Sequence, residues 1–173
     1  MNMNKLFDDL EEPIIKAHIK KRKKQKLEGL FSLSLKNTPG LLYHKLHNNP
    51  LSHQSTHADF EVFNSKGDVF FIEAKEVQLK DGKGIFPFSR LTQRQALIHY
   101  DSFSEYTNSY LLLLFRGNTM ANSFTYLIPI YDWIFMENNI GKKSANLENV
   151  QDNFAAYSLN YANNSYDLSI LYK

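Results

Sequence analysis

The chain contains no cysteine. That excludes structural disulfides, thiolate zinc sites and a cysteine nucleophile, and it fits a reducing compartment. Long apolar runs are also missing. The longest candidate, Tyr110 to Phe115, has the length of a strand and falls far short of the ~20 residues that cross a bilayer. The first residues, Met-Asn-Met-Asn-Lys, lead into acidic side chains rather than an apolar signal core. These absences predict a soluble cytoplasmic protein with no membrane partner. The sequence has no Gly-x-x-x-x-Gly-Lys-Ser/Thr loop, no Gly-x-Gly-x-x-Gly and no Gly-x-Ser-x-Gly. A nucleotide-cradling loop and a serine-hydrolase elbow are therefore not expected. His44, His47, His53 and His57 lie close in sequence without the tight spacing of a zinc site. A surface or phosphate-contacting role suits them better, His57 above all because it stands two residues before Asp59.

What is present suits one compact domain: 173 residues, of which 43% are hydrophobic and 14% aromatic. Net charge is only +2 but unevenly placed. Residues 1–36 hold nine Lys/Arg against five Asp/Glu, and the surplus is concentrated in Lys20-Lys21-Arg22-Lys23-Lys24-Gln25-Lys26. Such a run can neutralise phosphates without reading sequence, or it can be a solvated helix face. The division expected is a basic helical extension over residues 1–25 and a single domain over 26–173.

Along the chain, residues 3–20 read as an acidic-to-basic helix that Pro13 can divide into two pieces. Leu27, Leu30, Phe31 and Leu35 predict a helix from Lys26 to Lys36, stopped by Asn37-Thr38-Pro39-Gly40. Strands are expected over Leu41–Leu46, Asp59–Phe63, Asp68–Val77, Ser109–Phe115 and Phe124–Ile130. The turn Asn64 to Gly67 joins the second and third of them. His47 to His57 and Lys80 to Gly84 read as loops, the latter flexible. Residues 92–104 read as a helix and Asp132 to Glu137 as a short one. The remainder reads as irregular until a possible final strand over Tyr166–Leu171. Trp133 and the tyrosines at 157, 161, 166 and 172 suit core and strand positions. The order predicts an α/β fold, a mixed central sheet flanked by helices.

One constellation carries chemistry. Asp59 begins one strand of the expected hairpin, and Glu73 and Lys75 lie near the end of its partner in Ile72-Glu73-Ala74-Lys75-Glu76. Alternation puts Glu73 and Lys75 on one face and Ile72 and Ala74 on the other, toward an apolar core. Two carboxylates brought together across the hairpin can hold a hard divalent cation by oxygen. Such a cation polarises a scissile phosphate and lowers the pKa of water. A lysine beside it orients the attacking water or stabilises charge on the phosphorane. The competing reading of Glu-x-Lys is an ordinary salt-bridged strand face.

The spacing of Asp59 from Glu73-x-Lys75 resembles the PD-(D/E)xK nuclease signature. Glu73-Ala74-Lys75-Glu76, followed by Phe86-Pro87-Phe88 and Gln95, is similar to the corresponding segment of RecU-type Holliday junction resolvases. Upstream, Leu27-Glu28-Gly29 and Gly40-Leu41-Leu42-Tyr43 are similar to that family's first helix and strand. Downstream, Tyr126-Leu127-Ile128, Gly141-Lys142-Lys143-Ser144 and Tyr166-Asp167-Leu168 are similar to later segments. The likeness covers most of residues 26–171 and is motif-specific from Asp59 to Gln95. It implies a restriction-endonuclease-like core and a Mg2+-dependent endonuclease, with Mn2+ as an alternative ion, cutting branched DNA as a homodimer. Asp59, Glu73 and Lys75 would be catalytic, with Asp59 and Glu73 as metal ligands. Glu28 would complete the site or stand as a helix-surface residue. Gln95 would aim at the site, or cap its helix within Thr92-x-x-Gln95. Lys20, Lys21, Arg22, Lys23, Lys24, Lys26, Arg90 and Arg94 would contact DNA. The family's long stalk has only His47 to Ala58 in its place. Two alternatives remain: a restriction-type or repair endonuclease on the same core, and a non-catalytic DNA-binding recombination accessory protein.

Overall fold

A computed structural model describes residues 26–46, 56–153 and 155–172. The expected helix over 3–20, the run Lys20 to Lys24 and residues 47–55, with His47 and His53, lie outside the described residues.

Helix α1 (Leu27–Asn37) buries Leu27, Leu30, Phe31 and Leu35 as one apolar stripe. Gly40, at φ +79°, then turns the chain into β1 (Leu41–Lys45). Strands β2 (Phe60–Asn64) and β3 (Val69–Gln78) form an antiparallel hairpin. Asn64 closes the hairpin: its side-chain oxygen accepts from the backbone N–H groups of Lys66 (2.9 Å) and Asp68 (3.0 Å). There follow β4 (Ile85–Pro87), α2 (Arg94–Asp101), β5 (Thr107–Arg116), β6 (Phe124–Pro129) and α3 (Ile130–Asn139). The chain continues through β7 (Ser144–Asn146), α4 (Leu147–Gln151) and β8 (Tyr157–Ser158). β9 (Tyr161–Ala162) and β10 (Ser165–Tyr166) form a small ribbon. The main sheet has the order β1-β2-β3-β5-β6-β8, with β3 and β5 parallel and the other pairs antiparallel. The fold is thus α/β, with a mixed central sheet flanked by helices.

Alternation sorts the sheet into two cores. Phe60, Val62, Phe70, Ile72, Leu112 and Leu114 pack with α1 and the C-terminal segment. Val77, Leu111, Leu113 and Phe115 pack with Leu97 of α2 and with Trp133 and Met136 of α3. Leu111 to Leu114 are therefore all fully buried, the continuous apolar run of a strand covered on both sides. Each contributes roughly 1.5–3 kcal/mol of burial. The first core has the place expected for it, on the face of Ile72 and Ala74.

Several expectations are corrected. Lys80 to Gly84 is a tight turn rather than a flexible loop. Lys80 and Lys83 exchange backbone hydrogen bonds of 2.8 and 2.9 Å around Asp81 (φ 50°) and Gly82 (φ 73°). No strand spans Tyr166–Leu171. Only Ser165–Tyr166 pairs, and the Asp167 carboxylate accepts from the N–H of Ser169 (2.9 Å), opening a 3-10 turn over Ser169–Tyr172. The stretch after Glu137 is less irregular than expected, because Asn146 and Asn149 form a capping box that starts α4. Helix α2 is shorter than 92–104. Trp133 is fully buried, as expected of a core residue, whereas Tyr157 is exposed on the edge strand. Among the described residues, no helix is long and apolar enough to cross a membrane.

Candidate active site

The site grows from the start of β2 and the second half of β3. Asp59 is held on both sides by backbone: its N–H donates to the Ile72 carbonyl (3.1 Å) and its carbonyl accepts from the Leu46 N–H (2.9 Å). Its carboxylate accepts from the N–H of Ala74 at 2.8 Å. The motif strand therefore positions Asp59 through the main chain of the residue between Glu73 and Lys75. That anchor could not be read from side-chain types, since any residue at position 74 except proline supplies an N–H.

Glu73 and Lys75 share the face that carries the second core. Glu73 is only 1% exposed, so it is not part of a solvated strand face. Its Oε1 accepts from the Lys75 ammonium. Its Oε2 is buried and accepts no hydrogen bond, while the Glu73 carboxyl lies within hydrogen-bonding reach of the Asp59 carboxyl, a contact that needs a shared proton or a cation between the two. Lys75 retains about a fifth of its side-chain exposure and so sits at the mouth of the site. Burial pushes the Glu73 carboxyl up to about 7, the Lys75 hydrogen bond opposing and the charge of Asp59 adding to the rise. Asp59 is raised as well, by burial first, against the Ala74 N–H and Lys75 and together with the charge of Glu28. Two carboxyls in contact, both held above the usual range, titrate as a pair.

Glu28, in the first turn of α1, is close enough for its charge to act on Asp59. Its own partner is Lys45, at 2.7 Å, and its side chain is 40% exposed. Among the described residues, no group of three or more His, Asp or Glu side chains converges as a metal site. The pair Asp59 and Glu73 nonetheless fits a hard cation of the Mg2+ kind, which is commonly held by one or two carboxylates plus water and substrate phosphate. The contact between the two carboxyls, with Glu73 Oε2 buried and accepting no hydrogen bond, is the observation behind that fit, because such a pair calls for a shared proton or an ion.

Gln95 is exposed in the first turn of α2 and makes no hydrogen bond to Asp59 or Glu73. The expected capping box is absent: Thr92 Oγ1 donates to Gln93 Oε1 (2.9 Å), Gln93 is the N-cap, and no side chain caps the helix. Gln95 lines a groove of about 750 Å3 with Ser89, Thr92, Arg94, Lys142 and Lys143. Arg94 is engaged by Glu137 across that groove at 2.6 Å. Arg90 lies over the Phe86 ring (5.2 Å) and within 3.4 Å of the Glu76 carbonyl. Lys26 is exposed at the N-cap of α1. His57 packs against Tyr100 (5.9 Å), which stacks on Phe71 at 4.0 Å. Phe71 lies two residues before Glu73 on the same face, and nothing in its sequence context singled out that aromatic wall. No protein-family model and no characterised protein matches this chain.

Proposed function

We propose that this chain is a divalent-metal-dependent endodeoxyribonuclease built on a PD-(D/E)xK core, acting on branched DNA in the manner of RecU-type resolvases. The observation that carries the reading is Glu73: a carboxyl 1% exposed, one oxygen accepting no hydrogen bond, in contact with the Asp59 carboxyl and hydrogen-bonded to Lys75. Two buried carboxyls in contact need a shared proton or a cation between them. The hairpin of β2 and β3, with Asp59 before one strand and Glu73-Ala74-Lys75 along the other, is the frame the resemblance implies.

Asp59 and Glu73 would hold the cation, Mg2+ or Mn2+, with Glu28 near enough to add negative charge. When bound it supplies Lewis-acid polarisation of the phosphate and a lowered pKa for water. The Ala74 N–H fixes the Asp59 carboxylate in one orientation. Lys75, at the mouth of the site beside Glu73, would orient the attacking water and stabilise charge on the phosphorane. Two symmetric nicks in a four-way junction require two such sites, hence a two-fold homodimer.

The short connection between β1 and Asp59 favours a second reading on the same core, a restriction-type or repair endonuclease. Purified chain incubated with Mg2+ and matched four-way, duplex and single-stranded DNA separates the two. Paired nicks in the four-way substrate, abolished by chelator, are expected. Preferential cutting of plain duplex supports the second reading. No metal-dependent cutting of any substrate overturns both and leaves a DNA-binding accessory role.

A further inference from the structure

We infer that the groove at the start of α2 is a nucleic-acid phosphate track, leading from Lys75 past Arg90 to Lys142 and Lys143. The inference rests on the nuclease reading above and adds to it where the cut strand lies. Its lining is mixed: beside Phe88 and Leu91 it presents Gln95, Arg94, Lys142 and Lys143, and Glu137 is the only acidic side chain among the described residues that line it. Glu137 is already taken by Arg94. Lys142 and Lys143 are exposed, and among the described residues they form no ion pair. The first turn of α2 carries no acidic residue, so its N-terminal dipole adds to the positive potential.

Continuity with the catalytic pair comes from the backbone. Phe88 donates its N–H to the Lys143 carbonyl at 3.2 Å, which fastens the lysine turn to the 3-10 turn Phe88–Arg90. Arg90 at the end of that turn reaches the Glu76 carbonyl, one residue beyond Lys75. Arg90, exposed beside the catalytic strand, thus shares one 3-10 turn with Ser89, which lines the groove together with Arg94, Lys142 and Lys143. A nucleic-acid backbone presents anionic phosphates in series and suits such a path. Gly141, at φ +65°, sets the turn that presents the two lysines.

A free nucleotide is the other source of the same phosphate chemistry. The experiment uses the full chain carrying Asp59→Ala, so that substrate stays intact, with and without Lys142→Ala/Lys143→Ala. Both lysines are exposed on a turn, and matched circular dichroism and melting verify the fold. Affinity for fluorescent duplex DNA is measured across a salt series. With two fewer phosphates neutralised, the logarithmic salt slope should fall by ~1.8. Between 50 and 200 mM salt the double variant should then lose about tenfold less affinity than its parent. An unchanged slope overturns the track, whatever the cleavage assays give. Displacement of the DNA by a stoichiometric amount of nucleoside monophosphate or inorganic phosphate overturns it too, by showing a small-ligand site. A lower slope in a chain that cuts nothing would keep the track and remove only the nuclease reading.

Discussion

Replacing Glu73 by glutamine should make the metal-free protein more stable, and only at neutral and alkaline pH. Burial raises the Glu73 carboxyl from 4.5 to about 7. Below pH 4.5 it is protonated in both folded and unfolded chains and costs nothing as a charge. As pH rises from 4.5 through 7 the unfolded chain releases the proton first, so folded stability is lost across that window. At ~1.4 kcal/mol per unit, the ionised carboxyl costs the fold about 3 kcal/mol once pH is above 7. Glutamine keeps the shape without the charge, and Lys75 can extend to solvent from the mouth of the site. In a chain of this size ~3 kcal/mol corresponds to roughly 6–12 °C in Tm. Melting curves with chelator from about pH 5 to pH 8.5 should therefore show Glu73→Gln level with the wild type in acid and well above it in base. Millimolar Mg2+ should close the gap by stabilising the wild type alone. A variant that melts at or below the wild type near pH 8, or a difference that ignores pH, would refute the argument that this carboxyl is held in strain for an ion.

Lys75→Ala should lose ~10²–10³ in single-turnover nicking while melting close to wild type near pH 5, where the Glu73 carboxyl is protonated and needs no cationic partner, and Lys75→Arg should not restore nicking fully because a planar fork replaces a point charge. Retained nicking by Lys75→Ala would return Glu73-Ala74-Lys75 to an ordinary charged strand face. Neutralising Lys20, Lys21, Arg22, Lys23 and Lys24 should lower the salt slope of duplex binding by ~0.9 for each phosphate the run had neutralised, and no change would mark the run as a solvated face. Gly117→Ala should destabilise by ~1–3 kcal/mol, because a Cβ there would stand 2.1 Å from the Asn122 carbonyl oxygen. A Tm within a degree of wild type would contradict that packing.

The frame of the site was legible because a strand's period is local. Phe60, Val62, Phe70 and Ile72 alternate with Glu73 and Lys75, and the Asn64 turn joins the two strands without outside help. The run Leu111 to Leu114 likewise read as part of a strand, whereas its cover on both faces comes from the two cores. The depth of Glu73 was not legible, because it depends on the second core and the helices α2 and α3 that cover that face. Thr92 and Gln95 had the spacing of a capping box, but the helix begins later and Gln93 takes the Thr92 hydroxyl. The end of the chain was misread for a similar reason: Tyr166 and Leu168 look like strand residues, yet Asp167 turns the backbone between them. Gln95 and the lysine pair at 142 and 143 meet only because β4 pairs with β7, a long-range pairing with no local signature.

The central claim, that Asp59 and Glu73 hold a cation that cuts DNA, is tested most directly by nicking of a labelled four-way junction under single turnover. Wild type and Asp59→Ala would be compared with Mg2+, both bound to saturation. The account predicts cleavage by the wild type, none with chelator, and none above background by the variant although it binds the junction as tightly. Equal cleavage by Asp59→Ala would contradict it.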